Sequence, residues 1–172
     1  MSTSQTHTLN WRRMEAGDLA SVIAMAAVIH TDFFEDDAIY LERMRLYGKG
    51  CFVLEGQGGE LFGYAITHPW QLFATPALNS LLERLPDHPT TYYLHDIALL
   101  PASRGSGAAA RIVSILADQA RAEGLETMSL VSVNNSAGFW QKQGFAVVRR
   151  PELDAKLKSY SDDACFMLRR LA

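Results

Sequence analysis

His95 and Asp96 sit side by side in a strongly apolar run, Tyr92-Tyr-Leu-His-Asp-Ile-Ala-Leu-Leu100. Imidazoles titrate near neutrality, so a histidine here can take a proton from a reacting group or anchor a water. A carboxylate in apolar surroundings needs partners, because an unpaired buried charge is costly. Two readings follow for each residue. His95 is a base or water anchor, or else a hydrogen-bonded core histidine; Asp96 is catalytic, or structurally paired. Strand alternation sends the two side chains to opposite faces. Tyr92, Tyr93 and Tyr160 are phenols that could supply a proton, against packing as the simpler role. Cys51 and Cys165 both stand in apolar surroundings and read as buried thiols.

Just beyond the apolar run lies Pro101-Ala-Ser-Arg104-Gly105-Ser106-Gly107-Ala108-Ala109. It joins a strand to the start of a helix, and its small residues let backbone approach a ligand closely. Free N–H groups of a first helical turn, with the helix dipole behind them, suit an anion such as a pyrophosphate. Charge agrees: from Ile97 to Ala117 there is no Asp or Glu, while Arg104 and Arg111 are present. The simpler reading is a tight turn whose glycines serve packing alone. Gly105-x-Gly107-x-x-Ala110 also fits the loose dinucleotide fingerprint. That motif wants an acidic residue ending the next strand, whereas Glu126 precedes Thr127-Met-Ser-Leu130. No GxxxxGK(S/T) loop occurs.

The same residues carry a resemblance. Arg104-Gly-Ser-Gly107-Ala-Ala109 matches the (R/Q)xxGx(G/A) signature of the GCN5-related N-acetyltransferase (GNAT) superfamily, and Asp96-Ile-Ala-Leu-Leu-Pro101 resembles that family's fourth strand. Phe139-Trp140-Gln-Lys-Gln-Gly144-Phe145 resembles its (F/L)(Y/W)xKxGF segment, and the element order fits from Leu9 to Leu168. The resemblance implies acetyl-CoA as co-substrate, with no metal. The backbone of Ile97, Ala98 and Leu99 would pair with the pantetheine arm. The amides of Arg104, Gly105, Ser106, Gly107, Ala108 and Ala109 would hold the pyrophosphate. Asn134 and Trp140 would border the cofactor, and the thioester would lie where two central strands splay apart. The family often places an Asn seven residues before the aromatic; Val133 stands there, and Asn134 follows. Many relatives carry a tyrosine acid where this chain has Trp140, and an indole gives up no proton at neutral pH.

The implied activity is acetyl transfer to a primary amine of a small molecule or peptide, by direct attack in a ternary complex. His95 and Asp96 are the catalytic candidates. His68 would face the acceptor pocket, cap or lie at the surface. In Asp32-Phe-Phe-Glu-Asp-Asp37 the acidic groups would suit a cationic amine, or cap a helix with two aromatic anchors. The missing tyrosine motivates an alternative, a non-catalytic acyl-CoA-binding sensor or subunit. Members are often homodimers, and nothing in the sequence marks an interface.

These residues need a scaffold. Strands are expected over Leu9–Met14, Cys51–Glu55, Glu60–Thr67, Tyr92–Leu100, Thr127–Val133, Phe145–Val148 and a closing Ala164–Leu168. Helices are expected from Asp18 to about Ile29, from Asp36 or Asp37 to Tyr47, over Ala108–Glu123, and from Asn134-Asn-Ser to Gln143. The proline-broken stretch His68–Thr90 reads as a long connection with a short helix over Leu78–Leu85. The fold class is therefore α/β: a single GNAT-like domain at 9–172 after a polar segment at 1–8. Its mixed, mainly antiparallel sheet would carry helices on both faces and a splay between the central strands.

Composition sets the outer bounds. A chain of 172 residues suits one domain. A net charge of −3 argues against a nucleic-acid partner. The polar start lacks the basic and apolar regions of a signal peptide, and no apolar run reaches membrane-spanning length. A cytoplasmic protein with no membrane partner is expected.

Overall fold

The computed structural model describes residues 8–171; Met1–His7, most of the expected polar segment, lie outside the described residues. A seven-stranded sheet organises the chain. In chain order the strands are β1 (Asn10–Arg13), β2 (Cys51–Glu55), β3 (Leu61–Trp70), β4 (Thr91–Leu99), β5 (Thr127–Ser132), β6 (Ala146–Val147) and β7 (Cys165–Arg170). The helices are α1 (Leu19–Ile29), α2 (Asp37–Tyr47), α3 (Ala108–Ala122), α4 (Ala137–Lys142) and α5 (Asp154–Tyr160). Spatial order is β1-β2-β3-β4-β5-β7-β6. Each pairing is antiparallel except β4 with β5. The last strand thus inserts beside β5 instead of closing the sheet, and the two-residue β6 forms the edge.

Two apolar clusters separate the faces. On one face, Phe52, Ala65, Tyr92 and Leu94 meet the α3 stripe Ile112, Val113, Leu116, Ala117 and Ala120. On the other, Cys51, Val53, Tyr64, Ile66 and Ala98 meet Val22, Met25 and Ala26 of α1 and Tyr40 of α2. β3 runs on through Pro69 to Trp70. β2 stops pairing at Ile66, so the proline faces no ladder on that side.

Two local expectations fail for physical reasons. No helix forms over Leu78–Leu85: Asn79 and Glu83 take left-handed φ values of 56° and 68°. The N–H groups a helix would use are taken by carboxylates. Asn79 donates to Glu35, and Leu82 and Glu83 donate to Glu42. Conversely, α5 forms in a segment read only as polar. It begins after Pro151 and carries no buried residue, so hydrophobic periodicity gave no signal.

Candidate active site

A cleft of about 680 Å³ runs from the loop before α3 to the gap between β4 and β5. At the loop end, Gly105 and Gly107 take φ values of 78° and 79°, which L side chains rarely adopt. The turn left by those glycines is held from within. Arg104 N–H donates to Pro101 O, Ser106 N–H to Ser103 O and Ala108 N–H to Ser106 Oγ. Arg111 reaches back to the carbonyls of Ser106 and Leu9. The expectation that every amide from Arg104 to Ala109 is open is therefore corrected. Among the described residues, it is the N–H groups of Gly105, Gly107, Ala109 and Ala110 that no hydrogen bond engages. Arg104, Gly105, Gly107, Ala108 and Ala109 line the cleft, whereas Ser106 shapes the loop from behind. A cradle of small residues at the N-terminus of a fifteen-residue helix fits a diphosphate.

From the cradle the cleft follows β4. Parallel pairing with β5 is confined to Tyr92 with Met128 and Tyr93 with Ser129. Beyond it the strands part, and Ile97, Ala98 and Leu99 line the opening, as do Asn134 and Trp140 on its far side. The β3-facing edge of this stretch is paired, Gly63 with Leu99 through Ile66 with Asp96. The other edge is left to the cleft, which fits an extended amide-bearing arm. Trp140 packs edge-on against Phe145, with ring centroids 5.5 Å apart. Asn134 holds a left-handed φ of 55°.

The opposite-face expectation for His95 and Asp96 is overturned by a β-bulge. Ile66 pairs with Asp96 but Thr67 pairs with Leu94, leaving His95 as the extra residue. Leu94 accordingly faces the α3 side, while Ala98 faces α1 and α2. Both His95 and Asp96 come to the α1–α2 side, at the mouth of the splay. They border a smaller chamber of about 70 Å³ that adjoins the cleft and is also lined by His30, Phe33, Glu35, Tyr93 and Tyr160.

Two histidine–carboxylate pairs meet there. His95 Nε2–H donates to Glu35 Oε1 at 2.7 Å, and His30 Nε2–H donates to Asp96 Oδ1 at 2.8 Å. Asp96 Oδ2 accepts from the Tyr64 hydroxyl at 2.5 Å, and Tyr64 is wholly buried. Burial alone would favour neutral His30; the Asp96 hydrogen bond and charge, with Glu35, outweigh it and hold the imidazole's pKa above its ordinary value. Burial likewise opposes the Glu35 charge. His95, the Asn79 N–H and Arg43 overcome it, and the carboxyl lies below its ordinary range.

The other candidates are buried or engaged elsewhere, Tyr93 and Tyr160 included, although these two line the small chamber. Tyr92 is buried among core side chains, its hydroxyl 2.8 Å from that of Thr67. Burial pushes Tyr93 well above its ordinary value. Tyr160, pushed up to about 12 by burial, donates to the Pro76 carbonyl. His68 is neither capping nor at the surface. It is 1% exposed, its Nδ1–H donates to Pro69 O, and burial pushes it down to about 3, so it is neutral. Burial pushes the Cys51 thiol up to about 12, which leaves no nucleophile. Cys165 is only half-buried and lies 3.1 Å from Ser132 Oγ.

Sequence reasoning missed His30 and gave Glu35 only the shared reading of its acidic segment, as a match for a cationic amine or a helix cap. The one available signal was the acidic hexapeptide following a helix end. Its function depends on tertiary placement, with Glu35 gripping His95, the 71–90 connection and the neighbourhood of buried Arg43 together. Phe33 lines the small chamber, whereas Phe34 is exposed.

A family model described as acetyltransferase (GNAT) family matches residues 17–145. No curated protein matches the chain. Among solved structures, the chain is similar to GphF, a GNAT-like decarboxylase in complex with isobutyryl-CoA. Identity is 16%, the TM-score is 0.77, and 95% of this chain and 100% of that one are covered. It is similar to Ard1 from Thermoplasma volcanium at 15% identity and a TM-score of 0.72, covering 95% of this chain and 98% of that one. It is also similar to Naa20 from Chaetomium thermophilum in complex with a bisubstrate analogue. There the identity is 18% and the TM-score 0.70, over 94% of this chain and 86% of that one. At these identities the likeness is one of fold.

Proposed function

The chain belongs to the acetyltransferase (GNAT) family, and on that premise we propose that it moves an acetyl group from acetyl-CoA to a primary amine of a small molecule or peptide, by direct attack in a ternary complex. The observation that carries this reading is the convergence at the splay. The open edge of β4, the glycine cradle and two histidine–carboxylate pairs all border one continuous cleft. Acyl-CoA in GphF and the bisubstrate analogue in Naa20 support the choice of ligand class.

In this reading the diphosphate rests on the N–H groups of Gly105, Gly107, Ala109 and Ala110, and the pantetheine arm lies along Ile97–Leu99. The thioester carbonyl then meets free backbone donors at the splay, where an oxyanion can be stabilised. The amine enters the small chamber. His95 accepts its proton on Nδ1, because Nε2–H is held by Glu35. The resulting imidazolium is stabilised by that carboxylate. Asp96, assigned a catalytic role from the sequence, acts through its imidazole partner.

The chamber also selects. Among the described residues its polar lining consists of two carboxylates, each engaged by a histidine, and two tyrosines, with no Lys or Arg. A cationic amine is welcome there; an acyl group bearing its own carboxylate is not, which disfavours decarboxylase chemistry of the kind named for GphF. The same ionisable groups argue against a non-catalytic acyl-CoA sensor, since binding alone does not need them. Incubation with acetyl-CoA and an amine panel, following free thiol, tests the reading. Amine-dependent thiol release with an acetylated product is expected; tight CoA binding without thiol release on any amine contradicts it.

A further inference from the structure

We propose that His30 is the proton donor to the departing thiolate, with Asp96 and Tyr64 as its positioning residues, so that a histidine at the end of α1 takes over the task for which Trp140 has no acidic proton. The inference rests on the acetyl-transfer reading above and assigns a chemical task that reading leaves open.

The geometry separates the two imidazoles. Both line the cleft and the small chamber, and both spend Nε2 on a carboxylate, which leaves Nδ1 as the ring nitrogen available for proton transfer. Their carboxylates are held differently. Glu35 divides its charge among His95, the Asn79 N–H and Arg43, itself buried beside Glu42. Among the described residues Asp96 accepts from His30 and the neutral Tyr64 hydroxyl alone, so its charge is directed at one imidazole. The groups facing His30 from the elements around it are Asp96 and His95 on β4, Tyr64 on β3, Tyr40 and Asp37 on α2, and Glu35 in the α1–α2 loop. Burial raises both phenols far above their ordinary range, so neither competes as a proton source near neutrality. The anions outweigh burial at His30 itself and keep it protonated to higher pH than a free histidine. An acid must start protonated, and of the two histidines in the chamber His30 is the one whose protonated form its anionic neighbours favour.

The step balances. The ammonium group first releases one proton to solvent; the lone pair of the neutral amine then forms the N–C bond to the thioester carbonyl carbon, and the carbonyl π electrons move onto oxygen. As that oxyanion collapses, the C–S bond breaks and its pair stays on sulfur, which takes the proton from His30 Nδ1. The amine's proton goes to His95 Nδ1. Products are the amide and free CoA thiol; His95 is left cationic and His30 neutral, and proton exchange with solvent restores both.

The test is the pH dependence of turnover for the wild type, His30→Gln and Asp96→Asn, with CoA affinity measured on each. A required acid makes wild-type turnover fall as pH rises through the His30 pKa. His30→Gln should lower kcat about 100-fold or more, abolish that alkaline limb and leave the Kd for CoA within about twofold. Asp96→Asn removes the anion that raises the His30 pKa, so the limb should move to lower pH. Imidazole nitrogen shifts in the CoA complex give a readout independent of turnover, with His30 expected to be charged at neutral pH. Wild type active and His30→Gln retaining both turnover and the limb would overturn this assignment alone, as would a neutral His30 in the nitrogen spectrum. A wild type inactive on every amine overturns the acetyl-transfer reading, and the assignment falls with it. If His30→Gln fails to fold, the Asp96→Asn limb and the wild-type nitrogen spectrum decide the question.

Discussion

A single inserted residue sets the geometry of the candidate site. Because His95 is the bulged position of β4, it and Asp96 share a face, and each meets a carboxylate or imidazole brought by the α1–α2 segment. His95→Gln should lower kcat by about 100-fold or more while the Kd for acetyl-CoA stays nearly constant; steady-state kinetics beside calorimetric titration would show the split. Undiminished turnover would remove His95 as base. The pair of residues was legible in the sequence as a histidine and an acid in an apolar strand. Their common orientation was not, since ideal alternation is the only prior for an unbroken strand, and a bulge leaves no mark in Tyr92-Tyr-Leu-His-Asp96. His30 was silent for the same kind of reason: at the end of a helix its identity says nothing until Asp96 lies 2.8 Å away.

At the scale of elements, the site depends on a connection with no regular structure. Residues 71–90 are pinned by side chains of α2 and the loop before it. Glu42 accepts from Leu82 and Glu83 N–H, Arg43 donates to Ser80 O, and Glu35 accepts from Asn79 N–H. Glu42 and Arg43 form an ion pair whose side chains are 6% and 1% exposed. Removing one partner strands the other charge, so Glu42→Ala should cost about 3–5 kcal/mol, readable in denaturant unfolding; a loss under about 1 kcal/mol would fit a solvent-exposed pair instead. The cradle makes its own prediction. Gly107→Glu forces a side chain onto a φ of 79° and sets a carboxylate against the diphosphate. CoA affinity should drop by at least about 100-fold, combining about 1–2 kcal/mol of backbone strain with like-charge repulsion; calorimetry with unchanged affinity would place the diphosphate elsewhere. The α3 stripe and the glycine turn before it were readable because period and turn chemistry encode them. The 71–90 path was not, because carboxylates remote in sequence replace its backbone partners.

For the whole molecule, stability should fall toward both ends of the pH range and rise with bound ligand. Glu35 lies below its ordinary value of 4.5, so its contribution is present above that value and is lost as pH falls through its folded pKa. His30 lies above its ordinary 6.5, so its contribution is complete below that value and is lost as pH rises through its folded pKa. Thermal melts should therefore show a plateau between the two, and Glu35→Gln should flatten the acid flank; an unaltered acid flank would mean that the pair does not contribute. Saturating CoA at about a hundred times its Kd should add about 2.7 kcal/mol, roughly 5–10 °C for a chain of this size. The sheet and both helix layers were legible from periodicity, and the family from two signatures at their proper separation. The insertion of β7 between β5 and β6 was not, since strand order is a non-local property that local pattern leaves undetermined.

The most direct test is a crystal structure of the CoA complex. The diphosphate should accept from the N–H groups of Gly105, Gly107, Ala109 and Ala110, the arm should run along Ile97–Leu99, and the sulfur should come to rest between the parted β4 and β5, within reach of His30 and His95. A nucleotide bound away from that helix start, or a thiol pointing away from the two histidines, would contradict the account.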